Sequence, residues 1–408
     1  MKLLKVSSID SMQEYCIQYL KQNIKTEIID INDLNNRVLS KDIYAAENIP
    51  QFRKSNVDGY AIKAYISNGA TENNAIPLKL VGRVKIGENT NINMQDEECI
   101  YVPTGAIIPN DADSMIMIED TSMVENSNIV LIKKAVSINN NISQIGQDIS
   151  LNEQIFKVNH QINERDIAIL ASLGINKVEV YKQFNVSIIS SGNELVEITE
   201  SVTDSKIRDV NTILLKTLLE KNNFIINKTL LIKDNLHDLE KALNNNSDII
   251  ITSAGSSKGE HDYTLNAIEN VSKNILINGI SLKPGKPSIL AQTKKQLFIG
   301  LPGNPVSAYI VLLLTLIQAK KSLLCNNNKS RIKAKLSSNY ASDPGKTNIL
   351  LVELEKYNDE IIAKPLFYRS SQVKILAKAD GYVIIPIAKE GLKLLEEVEV
   401  NLFWEIHI

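Results

Sequence analysis

Lysines, carboxylates and small hydroxyl residues gather in four short runs of this chain, and their types suit the binding of a phosphorylated ligand. In Lys283-Pro284-Gly285-Lys286-Pro287, prolines stiffen the backbone and glycine permits a tight turn. Two ammonium groups held so close repel each other unless an anion lies between them, and phosphate or another oxyanion would serve. The other three runs each follow an apolar stretch. Ser190-Ser191-Gly192-Asn193-Glu194 follows Val186–Ile189, and Gly300-Leu301-Pro302-Gly303-Asn304-Pro305 follows Leu297–Ile299. The third extends from Ser253 through Gly255, Ser257 and Gly259 to Asp262, after Ile249–Thr252. Small residues let main-chain N–H groups approach an anion, and a helix that follows adds a favourable dipole. Asp262, just ahead of a helical pattern, could hold a hydrated Mg²⁺ or simply cap the helix.

The elements that must position these runs alternate. Strand Val186–Ile189 leads to helix Val210–Lys221, strand Ile225–Ile232, helix Leu236–Leu243, strand Ile249–Thr252 and helix Thr264–Val271. A strand near Pro287–Ala291 and the strand Leu297–Ile299, followed by an apolar helix opened by Pro305, complete the series. Such alternation predicts a doubly wound, mostly parallel sheet with ligand beyond the carboxyl ends of its strands. Around it the pattern changes. A helical segment opens the chain, with Ser8 and Asp10 as cap candidates, and Asp166–Leu173 reads as another helix stopped by Gly174. Between them lie short strands such as Leu78–Val84 and Glu98–Val102, and period-two alternation returns near the C-terminus. The expected architecture is multidomain α/β plus β. It comprises a helical N-terminal or dimer domain (1–45 and 141–183), a β-rich inserted module (46–140), the α/β domain (184–327) and a small C-terminal β-barrel domain (328–408).

Composition narrows the function classes. A net charge of -2 excludes the basic field of a general nucleic-acid binder. Cys16, Cys99 and Cys325 form no close pair, and the first residues form no apolar signal, so a reduced, cytoplasmic protein is expected. The apolar run Val306 to Ile317 is short for a membrane span and reads as a core helix. The four histidines lack zinc spacing, and no GxGxxG motif occurs. In the β-rich part, Asp58-Gly59 by itself reads as a hairpin turn, and Pro103-Thr104-Gly105-Ala106 as a turn between strands.

Taken in order, these runs resemble the molybdopterin molybdenumtransferase family, of which gephyrin carries a related domain. The likeness rests on Asp58-Gly59-Tyr60-Ala61, Pro103-Thr104-Gly105-Ala106, Gly146-Gln147-Asp148-Ile149, Ser191-Gly192-Asn193-Glu194-Leu195, Asp209-Val210-Asn211, the 253–262 loop, Lys283–Pro287 and Leu301–Ser307. It implies insertion of molybdenum from molybdate into adenylylated molybdopterin, with release of AMP, in the last step of molybdenum cofactor synthesis. It also implies a homodimer whose active site spans the subunit interface, and Mg²⁺ on Asp262 and Glu194. By position, Asp58, Thr104, Asp148, Glu194, Asp234 and Asp262 match the family's acidic or polar site residues. Lys283, Lys286, Pro302, Pro305 and Ser307 match its anion-binding side, and Ser370-Ser371 would contribute from the C-terminal domain. The chain departs from the pattern at Asn56-Val57, at Ala254, and at Lys374-Ile375, where the family carries hydroxyls. A molybdopterin adenylyltransferase is the alternative within enzymes, and a non-catalytic molybdopterin-binding scaffold the alternative outside them.

Overall fold

The computed structural model describes residues 6–203, 205–254, 263–324 and 331–404. Its centre is a six-stranded sheet in the order Ile225–Ile232, Asn185–Ser191, Ile249–Ala254, Leu297–Pro302, Ile289–Gln292 and Ile275–Asn278. The first four strands run parallel; Ile289–Gln292 is antiparallel to both its neighbours. Side chains alternate between the two faces of a strand. Ile188, Ile249, Ile251 and Ile299 therefore enter one apolar cluster, with helices Val210–Lys221 and Pro305–Leu312. Ile189, Ile250 and Phe298 enter another, beneath helices Leu236–Leu243 and Tyr263–Ser272. Burial on both faces explains why these strands read as continuous apolar runs. Each fully buried Ile or Phe adds about 1.5–3 kcal/mol.

The first helix, Ile9–Asn23, is capped by Ser8, whose hydroxyl accepts the Ser11 N–H. Its buried Met12, Cys16, Tyr19 and Leu20 join the first of these clusters. The Tyr19 hydroxyl donates to the Asp248 and Lys295 carbonyls, fixing the helix to the base of the sheet. Pro305 opens a helix that continues through a π-turn at Leu313–Ile317 to Leu324. This 20-residue stretch is the one described helix long and apolar enough to cross a membrane, but 67% of its most apolar part is buried within the fold.

A second six-stranded sheet lies within residues 59–132, in the order Ser114–Met117, Gly59–Ile62, Glu98–Val102, Ile76–Arg83, Ile129–Ile132 and Thr121–Met123. Asp58-Gly59 makes no hairpin turn, because Gly59 is itself the first strand residue. A side chain there would put its Cβ 1.9 Å from the Ile116 carbonyl oxygen, so the adjacent strand demands glycine.

In the C-terminal region, Thr347–Tyr357, Glu360–Pro365, Arg331–Leu336, Glu397–Leu402 and Gly381–Ile385 close into a barrel, the last pairing back on the first. Closure removes sheet edges. One short strand from outside joins it: Leu282–Lys283 runs parallel to Thr347–Tyr357, with Leu282 opposite Thr347 and Lys283 opposite Asn348. That pairing stitches the connection between Ile275–Asn278 and Ile289–Gln292 of the central sheet to the barrel.

Candidate active site in two joined clefts

The parallel strands end where the polar runs begin. Ser191 and Ser253 are buried near the ends of neighbouring strands. The Ser191 hydroxyl donates to the Asp234 carboxylate in a very short contact. Glu194 turns back over Gly192, where an added Cβ would stand 2.8 Å from its carboxylate. Glycine is thus needed at 192 to let that carboxylate lie against the strand end.

Asp209 caps the helix Val210–Lys221, accepting from the Thr212 N–H at 3.1 Å. Asn211, only 8% exposed, donates from Nδ2 to the Ser253 hydroxyl and to the Gly303 carbonyl, both at 2.7 Å. Because a carbonyl only accepts, Gly303 fixes which end of the amide carries nitrogen. The Asn211 Oδ1 finds no partner among the described residues.

These groups line a cleft of about 570 Å³, which also holds Glu194, Arg208, Asn304, Pro305 and Ser371. A second cleft of about 630 Å³ lies beside it, lined by Lys283, Lys286, Pro302, Ser307, Lys346, Arg369 and Ser370. Asn304 belongs to both. Although it precedes Pro305 at the N-cap position, its side chain makes no cap. Nδ2 instead donates to the Ser370 hydroxyl at 3.0 Å, and the Ser370 carbonyl accepts from the Val306 N–H. The wall between the clefts is therefore a joint between the α/β region and the C-terminal barrel.

Lys283 lies in the second cleft, but it is not free there. Its ammonium meets the Asp343 carboxylate at 2.7 Å, and Lys346 reaches the other carboxylate oxygen at 3.5 Å. Part of the negative charge facing Lys283 is thus supplied by the protein. Lys286 is exposed and has no ion-pair partner among the described residues. The hydrogen bond from Lys283 holds the Asp343 carboxyl below its ordinary value. Burial raises the Tyr340 hydroxyl on the same wall, with Lys283 opposing that rise.

The structure brings together most of the expected site residues. Ser191, Glu194, Ser253, Gly303, Asn304, Pro305 and Ser371 line the first cleft, with Gly192 and Asp234 bound beside it. Lys283, Lys286, Pro302, Asn304, Ser307 and Ser370 line the second. Gly255, Ser257, Gly259 and Asp262 lie outside the described residues. Asp58 and Thr104 come together, since the Asp58 carboxylate accepts the Thr104 N–H at 2.9 Å, but they line neither cleft of their own chain. Nor does exposed Asp148, whose N–H is held by the Ile49 carbonyl.

Asn211, Arg208, Asp343, Lys346 and Arg369 were not singled out by residue type and spacing. Asn211 enters only through the Asp209-Val210-Asn211 run of the family likeness, and Asp343-Pro344-Gly345-Lys346 has the residue types of an ordinary turn. At the departures from the family pattern, Asn56 accepts the Ser143 hydroxyl, and Ile375 packs against the main core.

No group of three metal-ligating side chains occurs among the described residues. Glu194 nonetheless faces the first cleft with a carboxylate that has no hydrogen-bonded partner among them. A hard oxygen donor of that kind fits Mg²⁺, which commonly takes one or two carboxylates and completes its shell with water and phosphate.

A molybdopterin-binding class of fold is what this arrangement defines. The central residues 187–321 match the description "probable molybdopterin binding domain". Residues 7–174 match the MoeA N-terminal region (domain I and II), and 333–403 the MoeA C-terminal region (domain IV). A molybdopterin molybdenumtransferase of Staphylococcus aureus is 30% identical over 374 residues, covering 90% of this chain and 88% of its own. Its counterpart from Staphylococcus epidermidis is 29% identical over 402 residues, covering 96% and 95%. The crystal structure of a molybdopterin biosynthesis MoeA protein from Pyrococcus horikosii superposes with a TM-score of 0.83 at 29% identity, covering 98% of this chain and 100% of that one. The chain belongs to the molybdopterin molybdenumtransferase family.

Proposed function

We propose that this protein inserts molybdenum from molybdate into adenylylated molybdopterin and releases AMP, completing molybdenum cofactor synthesis. The observation that carries this is the pair of clefts sharing the Asn304–Ser370 wall, one bearing a carboxylate and strand-end hydroxyls, the other four cations. Such a layout suits a nucleotide-linked pterin lying across the wall, with a metal oxyanion delivered from the cationic side.

Ser191, Ser253, Gly303 and the main chain around them would seat the phosphates at the carboxyl ends of the strands. Glu194, together with Asp262, would hold Mg²⁺, which when bound neutralises phosphate charge as the phosphoanhydride breaks. Asn211 would hold Ser253 and Gly303 in place around the ligand. Lys283, Lys286 and Ser307 would bind molybdate and keep it beside the substrate's sulfurs, so that an encounter becomes a positioned reaction. Little proton transfer is asked of the protein; positioning and charge neutralisation dominate.

The division into a helical N-terminal domain, a β-rich insert, an α/β domain and a barrel is part of this proposal, as is a cytoplasmic homodimer. Asp58, Thr104 and Asp148 line neither cleft of their own chain, which favours their acting at the cleft of a second copy. Light scattering should then give a dimer. Mixed dimers of Asp58→Ala and Glu194→Gln subunits should recover one intact site per dimer, about half of the wild-type dimer's activity, whereas each variant alone stays nearly inactive.

The deciding assay supplies adenylylated molybdopterin, Mg²⁺ and molybdate, and follows AMP and metal incorporation together. AMP release that tracks incorporation is expected. Ligand binding without either product would overturn the assignment.

A further inference from the structure

Building on the oxyanion role given to the second cleft, we propose that Asp343 is its internal counter-ion, holding Lys283 before ligand arrives and yielding it to the incoming dianion. Asp343 is the one carboxylate among the described residues lining that cleft, set against Lys283, Lys286, Lys346 and Arg369. Its oxygens contact two of these four cations.

The placement is built by backbone register. Lys283 sits opposite Asn348 because Leu282–Lys283 has joined the barrel in parallel. Asn348, 1% exposed, accepts the Asp343 N–H at 3.1 Å and donates to the Asp343 and Lys346 carbonyls at 3.0 and 2.9 Å. At the tip of the turn Gly345 takes φ +72°, a conformation that favours glycine. A buried amide therefore shapes the Asp343–Lys346 turn, and the ion pair is not needed to form it. The carboxylate is delivered to Lys283 by the fold.

A carboxylate oxygen presents to an ammonium the same charged acceptor as an oxygen of molybdate, so the two compete for Lys283. The strength of the contact suits displacement. Side chains of Lys283 and Asp343 remain 52% and 40% exposed, and pairs this wet shift an equilibrium by about fivefold at most. A dianion that also meets Lys286 and Arg369 can overcome that. Asp343 thus sets the oxyanion concentration at which the cleft fills, and keeps Lys283 extended toward it meanwhile.

Calorimetric titration of the full chain with molybdate tests this. Asp343→Asn preserves shape and removes the charge, and should bind molybdate about fivefold more tightly, with the gain shrinking as salt is raised. Asp343→Glu, which keeps the charge, should stay near wild type. Asp96→Asn is the control, since it removes a carboxylate remote from the cleft, paired with Lys63 in the β-rich sheet region. Unchanged or weaker binding by Asp343→Asn overturns the counter-ion role, and so does equal tightening by Asp96→Asn, which would reflect net charge alone. If wild type itself fails to bind molybdate, the oxyanion role of the cleft falls, and the counter-ion with it.

Discussion

The two clefts meet at one wall, yet their polar groups are held in different ways. In the first, Ser191 and Ser253 close neighbouring parallel strands, and Asn211 stands in the first turn of a helix, tied to Ser253 and Gly303. Strand register and buried hydrogen bonds set these atoms before any ligand arrives. In the second, a two-residue strand leaves the α/β region and enters the barrel, and the paired charges stand on side chains about half exposed to solvent. Buried amide contacts are short-ranged and insensitive to salt, whereas exposed ion pairs are weak and screened. One cleft is preorganised, and the other adjustable.

The most severe effect is expected in the first cleft. Glu194→Gln should slow AMP release by about a hundredfold, the scale of losing one preorganised contact to developing charge. Thermal unfolding should barely move, and a large loss of stability would show that the carboxylate is structural.

Asn211→Ala comes next. It leaves the Gly303 carbonyl without its donor, so urea denaturation should show a loss of about 1–3 kcal/mol. Asp343→Asn, by contrast, should stay within about 0.5 kcal/mol of wild type, as surface changes usually do. Equal losses at the two positions would erase the distinction between a rigid and an adjustable cleft.

Lys286→Ala should raise the molybdate concentration for half-maximal rate by about tenfold, in keeping with a lost charge-assisted contact. The defect should narrow at high salt. An identical rise in the requirement for adenylylated molybdopterin would place Lys286 outside the oxyanion side.

The smallest effect concerns acid. With its carboxyl held below the ordinary 3.8, Asp343 keeps its pairing with Lys283 as the pH falls past that value and loses it only near the lowered one. The stabilisation is therefore fully present above the unfolded value and disappears on acidification. Carboxyl chemical shifts should follow this, and titration at or above 3.8 would contradict the pairing.

Much of the α/β region was legible from residue order. Val210–Lys221, Ile225–Ile232 and Leu236–Leu243 form as their patterns predict, because helical spacing and an apolar run rich in isoleucine are local signals. The small-residue runs Ser190–Glu194 and Gly300–Pro305 were legible too, since glycine and serine at strand ends are informative in themselves. Local chemistry misled at Asp58-Gly59, where a turn signal stands for a glycine forced by the neighbouring Ile116 carbonyl. At Asn304, just ahead of the helix opened by Pro305, the side chain makes no cap and crosses to Ser370, 66 positions away.

By itself, the sequence determined the alternation of strands and helices, the places where polar loops interrupt them, and the likeness that identifies the family. These depend on local pattern, because side-chain period and turn chemistry act over a few residues. Tertiary structure decided that Asp58 meets Thr104, that Asn211 braces two loops, and that Asp343 faces Lys283 from 60 positions further along. Those encounters follow from strand pairing and barrel closure, which bring together residues whose separation along the chain carries no trace of the contact.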